Sequence, residues 1–260
     1  MKKIQKRLSL IKKQKRMGLM THVVVGYPDL EKTEEIIMAM DKAGSDFIEL
    51  QIPFSDPMAD GPVILEANRV ALENKVHLDD CLRLMKKVSQ KTSAALIFMG
   101  YLNSILSFGL EKFFTQAKES GAAGVIFPDV PIDSTEKDFY ILCEKNDIAP
   151  IFVLSPLTTQ KRMKEIKKYA KGLVYCVSNF GITGKTKGFH SDLDSYLSNV
   201  RKNLALPLAV GWGIKSKEGI DKLKGKAEIA IMGSEVIRKI DSMGENFRAN
   251  KIESFIKELF

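Results

Sequence analysis

The chain has 260 residues, of which 45 % are hydrophobic, and carries a formal net charge of +8. That length suits one large α/β domain or two small ones, with ample apolar material for a core and no apolar run near the roughly 18 residues of a membrane span. The positive excess is lysine spread along the chain without interleaved aromatics, so it reads as solvated helix faces with at most weak steering of an anionic substrate, and no nucleic-acid partner or membrane is expected.

Ile4, Leu8 and Ile11 recur at helical spacing within Lys2 to Met17, which predicts a short amphipathic helix ended by Gly18. Leu19 to Gly26 reads as a buried strand, and Asp29 can cap the helix that follows it to about Ala43. A second strand opens at Phe47 and runs into a loop rich in turn formers. Helical patterns then cover Glu66 to Leu72 and His77 to Lys91, and a strand covers Ala94 to Met99. The next units are a helix at Leu110 to Glu119, a strand at Gly124 to Phe127, a helix capped by Ser134, and a strand at Ala149 to Leu154. A lysine-rich helix begins at Thr159, and a strand follows at Leu173 to Val177. Asp192 to Leu204 reads as a helix, Pro207 to Val210 as a strand, Ser216 to Leu223 as a brief helix and Glu228 to Ile231 as the last strand. Two helical tails close the chain, with Asn246 as the expected cap of the final one.

Eight apolar strands alternating with helices call for a parallel sheet covered on both faces. Eight such units in about 250 residues favour a closed (β/α)₈ barrel over an open doubly wound sheet, as a single domain spanning 1–260. The first helix lies outside that repeat, and the open barrel bottom is the surface available to its apolar stripe. Three cysteines (Cys81, Cys143 and Cys176) lack metal-ligand spacing and read as small buried hydrophobes. His22, His77 and His190 share no ligand spacing either, so neither a metal nor an organic cofactor is expected. The basic N-terminal stretch is not followed by an apolar core of a secretory signal, and a cytoplasmic location is the expectation.

In this fold the chemistry sits at the C-terminal ends of the strands, so listing strand ends lists candidate site residues. Those ends hold Glu49, Asp60, Tyr101, Asn103, Asp129 and Tyr175, then the loop through Thr183 and Gly184, Gly211-Trp212-Gly213 and Gly233-Ser234. A carboxylate inside a buried strand is costly, which marks Glu49 as a catalytic acid or base unless it faces water at the strand end. Glycine clusters after three consecutive strands form an anion nest from backbone N–H groups, with Gly213, Gly233 and Ser234 at its centre and Gly184 reaching over. Each glycine taken singly would only terminate an element. Trp212, core in its own right, walls an aromatic pocket with Tyr175 when placed between two such glycines.

The stretch Pro53 to Pro62 reads PFSDPMADGP directly after the acidic strand. This unbroken core resembles that of the tryptophan synthase alpha subunit family, and the other segments extend the likeness over nearly the whole chain. The resemblance implies cleavage of indole-3-glycerol phosphate to indole and glyceraldehyde 3-phosphate. It implies that Glu49 shuttles protons, that Asp60 accepts a hydrogen bond from the indole N1–H, and that Thr183 closes near Asp60. It also implies a pyridoxal-phosphate-dependent beta subunit as partner in an α₂β₂ complex. Three positions depart from the family pattern: His22 where many members have phenylalanine, Gln51 where glycine is usual, and Glu235 where alanine is usual. Strand alternation puts Gln51 on the side of Glu49, and His22 reads as a hydrogen-bonded barrel residue able to reach it. These departures keep open a second reading, a catalytically weak barrel that mainly activates a beta subunit.

Overall fold

In a computed structural model of the protein, residues 1–130, 132, 137–177, 193–211 and 213–259 are described. Helix α1 (Lys2–Gln14) precedes β1 (Gly18–Val24), α2 (Leu30–Lys42) and β2 (Phe47–Gln51). Two helices, α3 (Pro62–Glu73) and α4 (Leu78–Ser89), lead to β3 (Ala95–Met99). Next come α5 (Leu102–Leu106), α6 (Leu110–Ser120), β4 (Gly124–Ile126) and α7 (Lys137–Lys145). The short strand pieces β5 (Ala149–Pro150) and β6 (Val153–Leu154) precede α8 (Gln160–Tyr169), β7 (Val174–Val177) and α9 (Leu193–Leu204). The chain continues through β8 (Leu208–Gly211), α10 (Lys217–Asp221), β9 (Ile229–Met232), α11 (Ser234–Asp241) and α12 (Ala249–Lys257).

Every strand pairing is parallel, in the order β5-β4-β3-β2-β1-β9-β8-β7-β6. The two outermost pieces, β5 and β6, are successive parts of one stretch of chain. Within it the Ile151 N–H donates to Val125 O (2.9 Å), while Phe152 O accepts from the Tyr175 N–H (2.9 Å). That stretch therefore hydrogen-bonds to both ends of the sheet and closes it into the expected (β/α)₈ barrel.

Alternation along the strands separates two apolar regions. Met20, Phe47, Ile97, Ala209 and Ile229 point into the barrel, whereas Leu19, Ile48, Leu50, Phe98 and Val210 pack outward under the helices. Ile4 and Ile11 of α1 belong to the inner region, with Leu8 packed against it. The first helix thus plugs the barrel bottom, as its stripe requires. Asp46, fully buried at the foot of β2, clamps it there. Its carboxylate accepts from Arg7 Nη2 (2.7 Å), from Arg16 Nη1 (2.6 Å) and Nη2 (2.7 Å), and from the Leu19 N–H (3.1 Å).

Asp29 and Thr159 cap α2 and α8 through their side chains, accepting from the Lys32 N–H (2.7 Å) and the Arg162 N–H (3.2 Å). Two expected helix signals fall elsewhere. Helix α1 ends at Gln14 with Lys15 in the left-handed conformation, and Gly18 instead begins β1, where a Cβ would lie 2.5 Å from Ile11 Cδ1. Asn246 ends a short 3₁₀ turn, and Arg248 is the residue flanking α12. The expected Ser134 cap lies outside the described residues. All three cysteines are free and buried.

Candidate active site

β1 and β2 carry the polar part of the barrel interior. They pair in register with His22 opposite Glu49, and both side chains are buried. His22 Nδ1 lies 3.0 Å from Glu49 Oε2. The second atom of each group, His22 Nε2 and Glu49 Oε1, is buried without a hydrogen-bond partner among the described residues. The carboxylate at position 49 therefore faces the barrel interior and not water, with an unspent oxygen. Gln51, two residues along on the same face, is fully buried, and its Oε1 also lacks a partner.

Asp60 closes the loop that follows β2, and several contacts hold that loop in place, among them Asn68 Nδ2 to Asp60 Oδ2 (3.5 Å). Gln51 Nε2 donates to Asp60 Oδ2 at 2.6 Å. The Phe54 N–H donates to Asn68 Oδ1 (3.1 Å), and the Ala59 N–H donates to the Tyr101 hydroxyl (3.1 Å). The Phe54 and Tyr101 rings stack with centroids 5.3 Å apart. Burial pushes the Asp60 carboxyl above its ordinary range. The Gln51 bond, the nearby His22 and a Tyr101 hydrogen bond oppose that shift, and the charge of Glu49 adds to it. Glu49 and Asp60 thus sense one another across a shared space. Tyr175, on the inner face of β7, senses both: its phenol is held well above the usual value by burial first, then by Glu49 and Asp60.

Asp129 stands slightly apart. Its carboxylate accepts from the Leu102 N–H (2.8 Å), fixing the turn that carries Tyr101, and burial raises its pKa. Sequence reasoning did not reach Asn68 on α3, which is buried and donates through Nδ2 to Ile64 O (2.9 Å) while bracing the Phe54 loop. An asparagine amid Ala67, Val70 and Ala71 was the available signal.

On the opposite rim, the β8 and β9 turns supply the glycines. Gly213 has φ +59°, with open space where a Cβ would project. A side chain there would be strained and would fill the space in front of the turn. Gly233 precedes α11 and Ser234 begins it, so unpaired N–H groups of a helix first turn point from this rim. A Cβ on Gly233 would lie 3.7 Å from His22 Cβ, which puts the turn beside the β1 residue. Glu235, in the same first turn, is drawn aside by Arg238 Nη1 (2.5 Å) and Lys215 Nζ (4.0 Å). The Tyr175 ring covers Gly211, where an added Cβ would meet its hydroxyl at 3.2 Å. Thr183, Gly184 and Trp212 lie outside the described residues.

Glu49, Asp60, Tyr101 and Tyr175, with His22 and Gln51, thus lie together at the C-terminal ends of the strands, where a (β/α)₈ barrel carries its chemistry. The family model for the tryptophan synthase alpha chain matches residues 8–259. The chain belongs to that family. It is 41 % identical over 246 residues to the tryptophan synthase alpha chain of Syntrophotalea carbinolica, covering 95 % of each. It is 43 % identical over 241 residues to that of Desulfotalea psychrophila, covering 93 % of this chain and 94 % of the relative. Among solved structures, the tryptophan synthase subunit alpha of Legionella pneumophila superposes with a TM-score of 0.90 at 30 % identity, covering 99 % of this chain and 96 % of that one. A Mycobacterium tuberculosis tryptophan synthase chain gives 0.89 at 25 % identity, with 98 % and 96 % covered.

Proposed function

We propose that the chain cleaves indole-3-glycerol phosphate to indole and glyceraldehyde 3-phosphate, as the alpha subunit of a tryptophan synthase in the cytoplasm. The observation that carries this reading is the pair Glu49 and Asp60, brought from a strand and a loop to one buried mouth and held differently there. The Glu49 carboxyl gives a proton to C3 of the indole ring, and the resulting positive charge on the ring nitrogen rests against the Asp60 carboxylate. Loss of the proton from the adjacent glycerol hydroxyl, back to Glu49, lets the C–C bond break. Its electron pair returns to the ring, which leaves as indole, and the carbinol carbon leaves as the aldehyde. Different surroundings let one carboxylate move protons while the other stays ionised. In this reading the phosphate occupies the turn of Gly213, Gly233 and Ser234, and Tyr175 walls the ring.

The partner in this reading is a pyridoxal-phosphate-dependent beta subunit that consumes indole. Met58, 88 % exposed on the loop beside Asp60, is the described residue that would face it. Cleavage is measured with and without that subunit, for the parent and for Glu49→Gln and Asp60→Asn. Glu49→Gln keeps size and polarity but removes the proton, so turnover should fall by about 10²- to 10⁴-fold with substrate affinity retained. Asp60→Asn should also lose turnover, and Asp60→Glu should keep part of it. Near-parental turnover in Glu49→Gln overturns the mechanism. A parent that cleaves nothing in either setting, yet accelerates the beta reaction, is instead the activator barrel that His22 and Gln51 in the mouth would fit.

A further inference from the structure

We propose that His22 and Gln51 are positioning residues for the two reacting carboxylates, each anchoring one carboxylate through a single oxygen; this rests on the cleavage reading above. The argument starts from what each carboxylate is bonded to. Glu49 has one hydrogen bond among the described residues, from Oε2 to His22 Nδ1 at 3.0 Å, and its Oε1 has none. In the step where Glu49 takes the glycerol proton its carboxylate is ionised and only accepts, so His22 donates from Nδ1, and its Nε2 is left buried without a partner among the described residues. The two residues sit opposite one another in the β1–β2 register, on strands buried on both faces. The donor is therefore fixed by the barrel itself. Held at Oε2, Glu49 has its second oxygen fixed in direction before any substrate arrives.

Asp60 stands on a loop, where such fixing is harder to obtain. Its carboxylate is held by Gln51, which belongs to β2 and donates from Nε2 to Asp60 Oδ2 at 2.6 Å, with Asn68 Nδ2 at 3.5 Å from the same oxygen. The amide orientation follows from chemistry, since only the nitrogen end can donate to a carboxylate. Gln51 Oε1, buried without a partner, shows that this side chain is not placed to satisfy itself. One rigid strand thus carries Glu49 and the anchor of Asp60 two residues apart. Fixing the separation of two groups that must act on one ring lowers the entropy lost on reaching the reactive arrangement.

The test uses the complex with the beta subunit and four variants. His22→Leu and Gln51→Leu should each lower kcat on the order of 10- to 100-fold, the scale of a misplaced reacting group. For His22→Leu the KM should stay near the parental value. His22→Asn, which keeps a donor near the Nδ1 position, should recover most of the loss. Gln51→Glu, which replaces a donor by a charge beside Asp60, should be worse than Gln51→Leu. Melting temperatures of the leucine variants should fall, because each leaves a buried carboxylate oxygen without its donor, so kcat is read well below the transition of each variant. An active parent with parental kcat in both leucine variants overturns the positioning role and leaves the cleavage reading standing. A parent without cleavage ends the cleavage reading, and the pairing is then decided by ¹⁵N spectra of histidine-labelled protein. The His22 Nδ1 signal should report a protonated nitrogen and move in Glu49→Gln; no movement overturns it.

Discussion

Asp60 shows how a single side chain sets the conditions under which the site works. Its pKa is raised, burial being the largest cause, and Gln51 and Tyr101 both pull it back by bonding the ionised form. The countercharge role needs that ionised form. The acid limb of kcat/KM should therefore lie above the ordinary aspartate value of about 3.9. Removing a donor removes a lowering influence, so Tyr101→Phe should move the limb to still higher pH. A limb that stays put or moves down in that variant would show that Asp60 does not set it. The stability sign follows from the same shift. A carboxyl raised in the folded state binds its proton more tightly there than in the unfolded chain, so its contribution to stability is present at low pH. It is lost as pH rises through the folded pKa.

At the scale of elements, the barrel depends on how α1 is fastened. Asp46 gathers two guanidinium groups and a backbone N–H with no exposure to water. Removing that carboxylate leaves the Leu19 N–H and the mostly buried Arg7 without their partner, while Arg16 is 30 % exposed, so Asp46→Ala should cost about 1–3 kcal/mol in urea unfolding. A loss below about 1 kcal/mol would mean that the arginines find water instead. The elements themselves were largely readable from the chain. Apolar runs bounded by glycine and proline marked all eight barrel positions, and the Asp29 and Thr159 caps were visible as residue types at the right place. The start of α3 was not. Pro62 at its first turn is also the last residue of the loop motif, and proline serves a turn and a helix start equally well. The five-residue α5 is too short to show a period. Glu49 and Asp60 could be picked out because carboxylates are conspicuous among apolar and turn residues. Their holders could not be assigned so fully: strand alternation placed Gln51 on the correct face, but its bond to Asp60 depends on where a loop returns in space.

For the whole molecule, the bottom plug has a consequence in time. Ile4 packs where Gly124 and Gly172 leave room, since a Cβ at those positions would lie 3.3 Å from Ile4 Cδ1 and 3.0 Å from Ile4 Cγ2. The amino group of Met1 reaches Asp147, and Asp46 lies just before β2. The seat of α1 is thus assembled from parts of the chain far apart in sequence, and it exists only once the ring of strands has come together. Contacts of such long separation form late, after the loops between them have closed. The first segment of the chain is then the last to settle. Ile4→Ala, which empties a fully buried site, should accelerate unfolding and leave the refolding rate almost unchanged. A slowed refolding limb with an unchanged unfolding limb would place the plug in the folding nucleus instead. On this ordering, the barrel closes first with its floor open, and the N-terminal helix acts as a latch whose release precedes the opening of the ring.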